Sequence, residues 1–179
     1  LDKRKLGYAD TEAAKLGAFR RAEALERLVK YDEALKVGRQ VVQDNAGKTL
    51  ECWGQCVVGS SLARTGKLLE GAQALLDVEK MLPDDSDVSP WTNARGRLMS
   101  ICDDCINGKS DVAAAVGSLQ DADRMALLTT LSMWLVGSMD KYEKAFQVID
   151  KCCGEAERDK LVKHVTLTLA QQDRPDLSV

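Results

Sequence analysis

The amino-acid sequence predicts an all-α domain, a superhelix of about four helical hairpins, two of them degenerate, closed by a C-terminal capping helix. Three observations predict it. Only three of the 179 residues are proline and 4% are aromatic, against abundant Ala, Leu, Lys and Glu, a balance that favours helix. Apolar and small side chains recur at helical spacing from residue 11 onward. Residues 18–35 read as two helices joined by a tight turn, and residues 62–72 repeat that turn and its small-residue slots more loosely. A lone hairpin cannot bury its own apolar face, so the copies must stack. The length suits one continuous core, drawn over residues 11–172 between a flexible N-terminal segment, 1–10, and a C-terminal tail, 173–179.

Each element follows from its pattern. Ala14, Phe19, Ala22, Leu25 and Leu28 mark a first helix over 11–29, and Tyr31, Ala34, Leu35, Val37, Val41 and Val42 mark its partner, which ends at the breaker Asn45-Ala46-Gly47. A third helix covers 48–64, turns at Thr65-Gly66-Lys67, and hands over to a fourth that ends at Leu82 before Pro83. After the polar connector 83–87, Ser89 serves as cap and Pro90 as first helical residue of a fifth helix, which runs through Trp91, Leu98, Ile101 and Cys105 to Gly108. A short helix over 111–119 completes a degenerate third hairpin. Asp121 opens the next helix, through Met125, Leu128, Leu131, Trp134 and Leu135, and Asp140 with Glu143 forms a capping box for its partner, striped by Tyr142, Ala145, Phe146, Val148 and Ile149. A last helix over 156–170 caps the stack, and Pro175 ends all helix.

The small residues are the slots at which paired helices touch: Ala22, Ala34, Gly59, Gly71 and Ala145, with Tyr31 and Tyr142 opening the second helix of their hairpins. Arg21-Ala22-Glu23-Ala24-Leu25, Leu28, Tyr31 and Glu33-Ala34 make the first hairpin similar to tetratricopeptide repeats, and Gly59, Leu62, Gly66, Gly71 and Pro83 carry the likeness of the second. If Ala34, Gly71, Ala113 and Ala145 are equivalent, the copies lie roughly 37, 42 and 32 residues apart, around the ~34 of that family. The order of two repeats, an acidic connector, a degenerate pair, another repeat and a closing helix also resembles the tetratricopeptide half of thioredoxin-fused co-chaperones, which implies a binding or holdase role.

The resemblance implies an inner groove for a protein partner, formed here by Phe19, Glu23, Trp53, Cys56, Ser60 and Arg64. Phe19, Glu23, Cys56 and Ser60 supply no cation or amide pair of the kind with which some members grip a chaperone's C-terminal carboxylate. A partner helix or extended segment is expected instead. The competing expectation is a co-chaperone or thiol-active protein that uses Cys102 and Cys105, whose spacing is that of a redox dithiol. Against it, the pair lies near a helix end and encloses two carboxylates, both of which oppose the thiolate.

No zinc site is expected, because Cys102, Cys105, Cys152, Cys153 and His164 fall on three helices without a ligand motif. Phosphate-binding glycine loops, nucleophile elbows and metal-hydrolase motifs are absent from the sequence, so neither enzyme activity nor a cofactor is expected. Trp53, Trp91 and Trp134, on the first helices of successive hairpins, are assigned to packing.

A formal charge of −3 and a pI near 5.3 give no general attraction for nucleic acid, and Lys3-Arg4-Lys5 is a short terminal run. Charged residues interrupt every apolar window of membrane-spanning length. Six cysteines inside helical patterns imply reduced thiols and an intracellular, reducing compartment. The chain opens at Leu1, which reads as a processed end or a fragment with any targeting segment out of view. The expected function is a non-catalytic interaction scaffold, or a subunit of a larger assembly.

Overall fold

The computed structural model of the chain describes residues 11–82, 88–108, 110–137, 139 and 141–171. The described residues are all-helical, in nine helices without a strand: α1 Glu12–Arg27, α2 Tyr31–Asp44, α3 Thr49–Arg64, α4 Leu68–Met81, α5 Ser89–Asn107, α6 Ser110–Ser118, α7 Asp121–Gly137, α8 Tyr142–Cys152 and α9 Glu155–Gln171. The chain divides into two compact units, Leu1–Arg97 and Leu98–Val179, with the division inside α5, where the sequence pattern draws one domain over 11–172. The Asp140 capping box, Pro83, Pro175 and the Lys3-Arg4-Lys5 run lie outside the described residues, as does the side chain of Ala113. Ser89 is already helical rather than a cap that precedes the helix.

In the first unit, α1 packs on α2, α2 on α3, α3 on α4, and α1 also touches α3. Thr11 starts α1 by accepting a hydrogen bond from Ala14 N at 3.2 Å. Helix α3 lies among α1, α2 and α4, and this explains why Cys52, Gly54 and every residue over 56–63 are buried. Two short turns share one geometry. At the end of α1, Lys30 N reaches Leu25 O and Val29 N reaches Glu26 O, both at 2.9 Å; at the end of α3, Lys67 N reaches Leu62 O at 2.9 Å and Gly66 N reaches Ala63 O at 3.4 Å. Both are Schellman caps, with Val29 and Gly66 in the left-handed region at φ +62° and +87°. The next residue enters the following helix at nearly the same dihedrals, −93° and 61° for Lys30, −94° and 59° for Lys67.

Small residues set how closely the helices approach. A Cβ on Gly71 would lie 2.6 Å from Ala63 N and Gly59 O, and one on Gly59 would lie 2.7 Å from Leu75 Cγ and 3.0 Å from Gly71 O. The two backbones are in contact there. Ala22 and Ala34 are fully buried in one cluster with Phe19, Val41 and Val57.

In the second unit, α7 packs on α8, α9 covers both, and α6 touches α8. Leu127, Leu128, Leu131, Leu135, Ala145, Val148, Ile149, Leu161 and Val165 form the interior, with the α5 residues Leu98, Ile101, Cys102 and Cys105 also buried. Lys141 leads into α8 at −109° and 60°, the entry geometry of Lys30 and Lys67. Three bridges tie helices together: Lys144 Nζ to Asp103 Oδ1 at 2.5 Å, Arg124 to Glu157, with Nη2 to Oε1 at 2.7 Å, and Arg158 Nε to Asp150 Oδ1 at 2.6 Å. Among the described residues no helix is long and apolar enough to cross a membrane.

Candidate functional site

The first unit carries an open cleft of about 440 Å³, lined by Glu23, Glu26, Arg27, Tyr31, Arg64, Asn93 and Arg97. Its side chains come from the C-terminal end of α1, the start of α2, the last residue of α3 and the first half of α5. Arg27 and Arg64 each close a helix, where the negative end of the dipole favours a cation. They hold equivalent places, 37 positions apart.

One wall of the cleft is an ion network. Arg97 Nη1 donates to Glu26 Oε1 and to Ser60 Oγ, and Ser60 Oγ donates to the same Glu26 oxygen. Arg97 Nε donates to Asn93 Oδ1 at 2.6 Å. Glu26 and Arg97 are only about a fifth exposed or less, at 17% and 21%, so their attraction is less screened than that of a surface pair. Glu23 is held at 2.7 Å by Arg20. With both carboxylates so engaged, Arg27, exposed and without an ion pair among the described residues, adds a positive charge to the cleft.

The six residues of the sequence-predicted groove separate. Glu23 and Arg64 line the cleft, and Ser60 is the buried hydroxyl that holds its wall. Phe19 and Cys56 lie in the interior instead, at 4% and 0% exposure. Phe19 packs with Ala22 and Ala34, and half-buried Trp53 lies against it, ring centroids 5.8 Å apart. Cys56 Sγ donates to Pro90 O at 3.3 Å, and burial pushes its thiol up to about 12. The reason is geometric: Phe19 packs where α1 meets α2 and α3, and Cys56 faces the start of α5, so neither position faces solvent.

Sequence reasoning missed Glu26, Arg27, Asn93 and Arg97 as site residues and assigned Tyr31 a structural role alone. A signal existed for the α5 pair. Ala22, Gly59 and Gly96 stand 37 positions apart, so Asn93 and Arg97 flank Gly96 as Phe19 and Glu23 flank Ala22, and as Cys56 and Ser60 flank Gly59. The pair supplies the amide and cation that Phe19, Glu23, Cys56 and Ser60 lack.

The cysteines sort differently. Cys102 and Cys105 are buried, and burial pushes Cys102 up to about 12. Cys105 is raised further, first because its thiol donates to Cys152 and then by burial, while half-buried Cys152, as acceptor, is lowered. Cys105 thus has the Cys152 thiol of α8 as its neighbour, and all six cysteines are free thiols. Cys153 is half-buried and His164 exposed, and among the described residues no group of three or more His, Cys, Asp or Glu could hold a metal ion.

No family of known proteins, no curated protein and no solved structure matches this chain.

Proposed function

We propose that the chain is a non-catalytic protein-interaction module of tetratricopeptide-like hairpins, a scaffold or subunit of an assembly, and that it holds a partner segment in the cleft of the first unit. The observation that carries the reading is the cleft itself, an open space of about 440 Å³ with Arg27, Arg64, Arg97 and Asn93 grouped on it. The ion network of Glu26, Ser60 and Arg97 fixes one wall before any ligand arrives, which reduces the ordering cost of binding. In support of the hairpin reading, the two Schellman turns match in hydrogen bonds and dihedrals at 37-residue spacing, and α1 touches α3 as well as α2. A larger groove of about 470 Å³ lies between α1 and α2, lined by Ala18, Arg21, Glu33, Lys36, Val37 and Gln40. Its charged lining is exposed and mixed in sign, and it makes local contacts along α2, Glu33 with Lys30 and Gln40 with Asp44.

The test is retention of proteins from an extract of the native source on the immobilised chain, compared with a variant carrying Arg27→Glu and Arg64→Glu. A protein held by the wild type and released by the variant supports the reading. Identical retention by both, or none by either, argues against it.

A further inference from the structure

We infer that the partner segment bound by the first unit is acidic and carries a large apolar side chain, its carboxylates meeting Arg27 and Arg64 and its apolar group covering Leu28 and Val29; this rests on the reading of the unit as a protein-binding module. Leu28 and Val29 are 68% and 67% exposed, and with Lys30 they form the link between Arg27 and Tyr31, both of which line the cleft. An apolar pair in the open is unremarkable by itself. Its conformation is not. Val29 is the only non-glycine residue with positive φ among the described residues, at +62°, and a β-branched side chain is among the least tolerant of that region.

The second copy of the same turn shows that folding requires neither feature. There Thr65 and Gly66 occupy the equivalent places, and Gly66 takes φ +87° without a side chain to strain. The first turn therefore holds an apolar, strained pair where a polar, relaxed one closes the same hydrogen bonds. Strain at one copy and not at its equivalent marks a position held for something other than the fold.

Charge selects the occupant. The lining carries three guanidinium groups, of Arg27, Arg64 and Arg97, against the two carboxylates of Glu23 and Glu26, and Arg20 adds a further positive charge beside Glu23. The cleft is thus locally cationic on a chain of formal charge −3. Guanidinium groups bind carboxylates through paired hydrogen bonds, and the apolar pair beside them needs an aliphatic or aromatic group to leave water. A peptide supplies both within a few residues. A nucleic acid offers flat bases rather than a flexible apolar side chain for Leu28 and Val29, and the formal charge of −3 opposes both a nucleic acid and an anionic membrane.

The test is selection of random displayed dodecapeptides on the whole chain. The expected winners place two or more Asp or Glu within four residues of Leu, Ile, Met or Phe. A synthetic winner should bind Arg27→Glu and Arg64→Glu variants at least ~10-fold more weakly. Val29→Gly is the discriminating variant: it should raise the melting temperature by a few degrees yet weaken the peptide ~5-fold. Winners without acids, winners indifferent to Arg27→Glu and Val29→Gly, or tighter binding of single-stranded RNA or anionic vesicles would overturn this inference while leaving a binding module in place. A library with no winners would sink the module reading together with it.

Discussion

At Gly59 and Gly71 the tolerance for a single methyl group is set by what lies opposite. A Cβ on Gly71 meets backbone at 2.6 Å, which moves only if a helix moves, whereas one on Gly59 first meets the Leu75 side chain at 2.7 Å, which can rotate. Gly71→Ala should therefore cost about 3 kcal/mol and Gly59→Ala nearer ~1–2 kcal/mol, at the upper and middle range of overpacking penalties. Gly17 has nothing within 4 Å inside α1, so Gly17→Ala should stabilise by ~0.5–1 kcal/mol through helix propensity alone. Urea melts of the three variants check the order, and a Gly71→Ala protein as stable as the wild type would contradict the close approach of α3 and α4. Both tight glycines were legible in the sequence as small-residue slots. Phe19 and Cys56 were not legible as core, because one residue type serves a groove or an interior equally well and only the contact between α1 and α3 decides.

The helix ends explain what could be read at the level of elements. Strong punctuation, such as Asn45-Ala46-Gly47, Thr65-Gly66-Lys67 and Gly108, fixed boundaries because glycine supplies positive φ at low cost; Gly47, Gly66 and Gly108 all adopt it. The end of α1 carries no glycine: its turn was legible in the pattern of residues 18–35, but the positive φ of Val29 was not. The 37-residue spacing was read for Ala34 and Gly71 alone, because Ala113 was matched to them next. Lys30, Lys67 and Lys141, which share one entry geometry, lie 37 and then twice 37 positions apart. The break at α5 has a physical correlate as well: a Cβ on Gly96 would meet nothing within 4 Å, so the slot that is crowded at Gly59 is open there. In the second unit, α9 is tied to α7 by Arg124 and Glu157, and Glu157 also accepts from Gly154 N at 3.2 Å. The guanidinium holds the Glu157 carboxyl below its ordinary 4.5. A lowered carboxyl stabilises above its unfolded value and loses that contribution as pH falls through the folded one. Amide exchange over residues 155–171, corrected for intrinsic rates, should accelerate between pH 5 and pH 3, and Arg124→Ala should abolish most of that difference; an unchanged pH response in the variant would show that the pair does not secure α9.

For the molecule as a whole, the six cysteines set the alkaline limit of the fold. Five thiols are raised above the ordinary 9.0: Cys52, Cys56, Cys102 and Cys153 chiefly by burial, and Cys105 by its hydrogen bond to Cys152 and then by burial. A thiol raised on folding keeps its proton in the native state while the unfolded chain releases it. Its contribution is complete below pH 9 and is lost as pH rises toward the folded value. Cys56 and Cys102, both pushed up to about 12, each remove ~1.4 kcal/mol per pH unit across that interval. Over two pH units each costs ~3 kcal/mol, a large part of the ~5–15 kcal/mol that holds a domain of ordinary stability. They fall in different units, Cys56 in the first and Cys102 in the second, so each unit has its own alkaline weakness. Under reducing conditions, urea midpoints should fall between pH 9 and pH 11, with part of the slope removed from the first unit by Cys56→Ala and from the second by Cys102→Ala. Tryptophan fluorescence separates the two, since Trp53 and Trp91 report the first unit and Trp134 the second. The cavity left by either substitution lowers stability at every pH, so the slope and not the midpoint is the quantity to compare; slopes that Cys56→Ala and Cys102→Ala leave untouched would mean that these thiols ionise without unfolding.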